Sequence, residues 1–123
     1  MIHREQVVLN KYLIRTLQEK QPFDSKILVQ SLYNNYNSRI CSLLLAYADH
    51  RSNIHDFEIQ EYSVEIENGV LLFTVIYNEH TYLGCQDMNY SSVDLEMNIK
   101  LGIENDEYYF FGEDRLERDP DDF

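Results

Sequence analysis

Glycine is scarce in this 123-residue chain, and the four present stand alone at positions 69, 84, 102 and 112. They cannot build the glycine-rich loop that cradles a phosphate. Cysteine is scarcer still. Cys41 and Cys85 are too few and too far apart for a disulfide framework and form no Cys-x-x-Cys pair, so two buried thiols in a reducing compartment are expected. No apolar run approaches the ~18 residues of a membrane span, and the amino terminus lacks the apolar core of a secretory signal. Cytoplasmic residence is the expectation. Positive charge is the last shortage, with 10 Lys and Arg against 22 Asp and Glu for a net of −12.

What is present argues for a folded domain. Apolar residues make up 44% and aromatics 13%, with ten tyrosines, which is too much core material for a disordered acidic chain. One domain is expected, divided into a helical half (1–50), a sheet half (54–111) and an acidic tail (112–123).

The clearest local signal lies between Tyr62 and Tyr77, where two β-rich runs flank Asn68-Gly69. Asn-Gly accepts the positive φ of a type I′ turn, so this reads as a hairpin. Tyr62, Val64 and Ile66 face one way, and Ser63, Glu65 and Glu67 the other. Val70 to Tyr77 is apolar on both faces, which predicts a central strand covered on each side.

Before it, Leu9, Leu13 and Leu17 predict a helix over 4–20, stopped at Gln21-Pro22. Asp24 caps a second helix, with Phe23 as a hydrophobic staple onto Leu28. Its stripe Leu28, Leu32, Tyr36, Ile40, Leu43 and Tyr47 carries it to Ala48, although Asn34-Asn35-Tyr36-Asn37-Ser38 favours a break. Asp49 to Asn53 reads as a linker. The parity shift between Phe57/Ile59 and Tyr62/Val64/Ile66 predicts a β-bulge at Gln60-Glu61. Beyond the hairpin, Asn78-Glu79 reads as a turn, His80 to Cys85 as a short strand, and Gln86 to Ser91 as a polar connection. Val93, Leu95, Met97, Ile99 and Leu101 alternate strictly with polar residues. A turn at Glu104-Asn105-Asp106 then leads to a last strand at Glu107 to Phe111. The fold class is α+β: two N-terminal helices packed on an antiparallel, meander-like sheet of about five strands, followed by a frayed acidic tail.

No pattern identifies a reaction, and the chain reads as a non-enzyme. His50 and His55 lie near Asp49 and Asp56 without metal-ligand spacing, and neither cysteine neighbours a His or Lys. Carboxylate pairs such as Glu65/Glu67 and Asp94/Glu96 sit on polar strand faces with no apolar pocket to raise one pKa. No cofactor and no metal are expected.

Charge is the functional clue. Residues 1–50 carry six Lys and Arg against four Asp and Glu, a net of +2, which leaves −14 for residues 51–123. Residues 104–123 alone hold nine acids against two arginines. Such polarity disfavours nucleic acid and anionic membranes and steers a basic partner. The leading expectation is a small acidic inhibitor of a basic, nucleic-acid-handling protein. The contact residues read from the sequence are Glu65, Glu67, Asp94, Glu96, Glu104, Asp106, Glu107, Tyr109, Glu113 and Asp114. Immunity proteins against nuclease toxins and phage-encoded inhibitors of defence nucleases are similar in size and charge. An acidic, dimeric effector chaperone and a small-molecule-binding cup or enzyme are the alternatives, and a homodimer is among the expected assemblies.

Overall fold

The computed structural model describes residues 2–18, 23–48, 52–81 and 90–115; side chains at 55, 81 and 90–93 are outside the description. The elements are β1 (Arg4–Val7), α1 (Lys11–Gln18), α2 (Ser25–Tyr47), β2 (Ser52–Ile59), β3 (Glu65–Glu67), β4 (Val70–Thr81), β5 (Tyr90–Glu104) and β6 (Glu107–Phe111). An α+β fold is thus present, with two helices and an antiparallel sheet among the described residues.

The sheet is built around β4. On one side β4 pairs with β5; on the other it pairs with β2 over Val75–Thr81 and with β3 over Val70–Leu72. The full order is β1-β6-β5-β4-β2, with β3 sharing the β2 side. The Asn68-Gly69 turn has φ of 52° and 78°, as its type I′ reading requires, and Asn105-Asp106 repeats the device at 52° and 66°.

Residues 4–7 correct the expected first helix. They form β1, paired with β6 from Arg4↔Phe111 to Val7↔Tyr108. The helix starts only after Asn10, whose Oδ1 accepts from the Leu13 N–H at 2.9 Å, a cap that ends the extended segment. Leu13 and Leu17 then face inward together.

The second helix is continuous from Ser25 to Tyr47, and Asp24 Oδ1 caps it through the Lys26 N–H at 2.9 Å. Its Asn-rich middle does not break it because Tyr36, at the centre of that run, is buried and anchored. The Tyr36 hydroxyl accepts from the Asn10 N–H (2.8 Å) and donates to the Val8 carbonyl (3.0 Å). Its ring meets Phe110 edge-on at 5.9 Å. Tyr33 and Tyr47 hold other strands: Tyr33 Oη accepts from the Ile59 N–H at 2.6 Å, and Tyr47 Oη accepts from the His3 N–H at 2.9 Å. Three of the four described helix tyrosines thus tie α2 to backbone in or beside the sheet.

One face of the sheet carries the core. Leu71, Phe73, Val75 and Tyr77 of β4, Met97, Ile99 and Leu101 of β5 and Phe110 of β6 are buried with Leu13, Leu28, Leu32, Ile40, Leu43 and Leu44 of the helices. These side chains form one continuous core between the helices and that sheet face.

Four further expectations are corrected. Asn78-Glu79 is not a turn, since β4 runs on to Thr81, while 82–85 fall outside the described residues. The irregularities lie in both neighbouring strands: β2 slips register between Ile54 and Asp56, and β5 between Leu95 and Ser92, where Asp94 takes φ of 55° with its N–H bonded to Asn78 Oδ1 at 3.1 Å. That extra residue breaks the alternation read for 93–101, and β5 already begins at Tyr90 inside the expected connection. The parity shift at Gln60-Glu61 is produced by a 3₁₀ turn at Glu61–Ser63 instead of a bulge, leaving Tyr62 85% exposed. There the Gln60 N–H bonds the Thr74 carbonyl and Ser63 Oγ accepts from the Thr74 N–H, so the β4 edge stays satisfied. Cys41 is half-buried where burial was expected, and Cys85, His50 and the His55 side chain lie outside the described residues.

Candidate functional site

Among the described residues, no helix covers the second sheet face. Leu72, Thr74 and Ile76, expected to be covered, are only half-buried there. Because successive residues alternate sides, all directly registered partners of these three share their face. The rows read Glu65–Leu72–Lys100–Phe111–Arg4, Thr74–Asn98 and Glu58–Ile76–Glu96.

Two halves of this face differ in charge balance. Along the β2/β3 flank, Asp56, Glu58, Glu65 and Glu67 stand beside Asn78, Ile76, Leu72 and Val70 of β4. All four are exposed, and the column extends ~27 Å at ~3.4 Å per residue. Glu96 faces them from β5 across Ile76. Among the described residues no cation lies within ion-pair distance of these five carboxylates.

The other half is internally compensated. Arg4 pairs with Glu104 at 2.9 Å and lies over the Tyr109 ring at 4.8 Å. Lys100 lies over Phe111 at 5.4 Å. Arg115 pairs with Glu113 at 2.6 Å and lies over Tyr47 at 5.7 Å. The Tyr109 hydroxyl donates to Glu107 Oε2 at 2.9 Å, which raises the phenol above its ordinary pKa.

The start of the expected tail is fastened to the sheet. Glu113 Oε1 accepts from both the backbone N–H and Nδ2 of Asn98 at 3.1 and 2.7 Å, and the Glu113 carbonyl accepts from Tyr47 Oη at 2.6 Å. Arg115 donates to the Glu96 carbonyl at 2.5 Å. These bonds occupy the stretch of the β5 edge that β6 does not reach. Residues 116–123 lie outside the described residues.

The ten residues read from the sequence are therefore not one patch. Glu65, Glu67 and Glu96 join the uncompensated flank. Glu104 and Glu107 face each other at the β5–β6 hairpin end with Tyr109 and Arg4, and Asp106 occupies the hairpin tip. Asp94 sits in the bulge, Glu113 is spent on Asn98 and Arg115, and Asp114 is exposed. Sequence reasoning missed Asp56 and Glu58. Their signal was the alternation with Phe57 and Ile59, which turns them away from the core.

Between the halves, Leu72, Thr74 and Phe111 floor a depression of about 420 Å³ walled by Ser63, Glu65 and Glu113. No group of three or more metal-ligating side chains converges among the described residues. No helix there is long and apolar enough to cross a membrane. In comparisons with known proteins, no family model matches the chain, and no curated protein or solved structure is significantly similar to it.

Proposed function

We propose that this chain is a small acidic binding protein whose helix-free sheet face receives a basic protein, with nucleic-acid-handling enzymes as the partner class. The observation that carries this reading is the column Asp56, Glu58, Glu65 and Glu67, exposed and without a cation of its own among the described residues. Like charges held along one edge repel one another, and a basic surface relieves that repulsion while drawing the partner in from a distance. Alternate residues on a strand stand ~6.6 Å apart, a step comparable with that between phosphates of an extended nucleic acid. The half-buried Leu72 and Ile76 beside the column supply apolar contact area inside a charged rim. The role that follows is neutralisation: the face occupies a surface that otherwise receives phosphates.

The test begins with affinity capture of the partner from the native host and measures association rates at two salt concentrations. Replacing Asp56, Glu58, Glu65 and Glu67 by Lys slows association at low salt by about tenfold or more, within the range of electrostatic steering. Replacing Glu104, Asp106 and Glu107 by Lys changes it far less, because that end already holds Arg4. Equal rates for both folded variants and the native chain would show that the acids serve solubility alone.

A further inference from the structure

We propose that two copies of this chain associate edge to edge through β1. Among the described residues the sheet has two outer edges, and they are built differently. The β2/β3 edge is interrupted by the 3₁₀ turn at Glu61–Ser63, slips register at Ile54/Asp56 and carries the acid column. Each of these features keeps another strand away. The β1 edge has none of them, and the side chains flanking it are apolar: Ile2 is 54% exposed and Val8 87%.

Hydrogen-bond parity shows what this edge offers. The Gly112 N–H donates to the His3 carbonyl at 3.0 Å, in register with Arg4↔Phe111. Narrow and wide pairs alternate in an antiparallel ladder, so Glu5 and Val7 use their backbone groups toward β6. Arg4 and Gln6 consequently aim their N–H and C=O groups outward. A two-fold axis beside Glu5 pairs Arg4 of one copy with Gln6 of the other, twice, and sets Ile2 against Val8 on the same face. The opposed Glu5 carboxylates are the cost of that register, and each has its own Arg39 at 3.7 Å.

Charge placement selects a second copy for this edge. β2 is the fourth strand from β1, ~19 Å away at ~4.8 Å per strand. Pairing through β1 therefore sets the two acid columns ~43 Å apart, far beyond the ~8 Å Debye length. Pairing through the β2/β3 edge sets the two acid columns side by side instead. The dimer leaves both columns open, and it is independent of what they bind.

Sedimentation equilibrium of the full chain from low micromolar to near-millimolar concentration tests this. The native chain shows a monomer–dimer equilibrium in the micromolar range, as a short interface implies. Gln6→Pro removes only the outward N–H, which β6 does not use, so the dilute variant keeps its melting temperature. Its dissociation constant rises about thirtyfold, equivalent to about 2 kcal/mol, because the symmetric interface loses that donor twice. Val8→Glu decides the matter independently, including the case in which the proline variant fails to fold, and raises the constant by about tenfold or more by placing a charge against Ile2. A native chain that stays monomeric throughout overturns the proposal, as does a dimer that Val8→Glu leaves unchanged.

Discussion

Tyr36→Phe isolates the hydroxyl that ties α2 to the β1–α1 connection. The ring contact with Phe110 at 5.9 Å is retained, while two backbone groups, the Asn10 N–H and the Val8 carbonyl, lose their partner. An orphaned buried group costs about 1–3 kcal/mol, and both of these are partly buried, so the lower half of the range applies to each. The expected loss is about 2–4 kcal/mol, or roughly 8–16 °C in melting temperature for a domain of this size. Urea unfolding followed by circular dichroism measures it as a lower midpoint with an unchanged slope.

The same hydroxyl makes a second prediction, in alkali. Burial raises the Tyr36 pKa above its ordinary 10.0, against the lowering effect of the Asn10 hydrogen bond. Tyr47 is raised as well, again chiefly by burial. A raised folded-state pKa means the unfolded chain ionises first, so this stability is complete below pH ~10 and is lost as pH rises through the folded value. Tyr36→Phe therefore loses less stability than the native chain between neutral pH and the alkaline range. A variant within about 0.5 kcal/mol of native at pH 7, with an identical alkaline profile, would refute the assigned role; that margin is the ordinary scatter of surface substitutions.

Two other substitutions probe the sheet. Phe73→Asp or Val75→Asp places a lone carboxylate among buried side chains of the central strand, and circular dichroism should show an unfolded chain, because the cost exceeds a typical stability margin of ~5–15 kcal/mol; a native melting temperature would contradict the strand order. Gly112→Ala sets a Cβ 2.5 Å from Tyr47 Cε2 and Oη, so Tyr47 must move and release the Glu113 carbonyl and the His3 N–H; a loss of about 1–3 kcal/mol in urea unfolding is expected, and an unchanged midpoint would mean the tyrosine is not held.

Much of the fold was legible because it rests on local rules. Asn68-Gly69 dictated its turn through the φ values that only such residues adopt cheaply, and Asp24 and the stripe from Leu28 to Leu43 dictated α2 through capping and period. The two-sided apolar run at Val70 marked a strand paired on both edges, although only one of its faces is packed under the helices. Residues 4–7 escaped this reading because Leu9, Leu13 and Leu17 repeat at helical spacing, whereas β1 exists only through pairing with β6, more than a hundred residues later in the chain. No local propensity encodes a partner at that distance. The strand irregularities show the same limit: Asn78 reads as a turn residue, yet pairing on both sides keeps β4 extended and shifts the distortion to Asp94.

The candidate site divides along the same line. Net charge and its location in the second half are properties of composition, independent of folding. Which carboxylates remain without a cation is a property of register, since Arg4 reaches Glu104 across β6 and Arg115 reaches Glu113 while, among the described residues, the β2/β3 flank has no such neighbour. Charge adds up along a sequence, but it is compensated only through space, and strand order decides which charges meet.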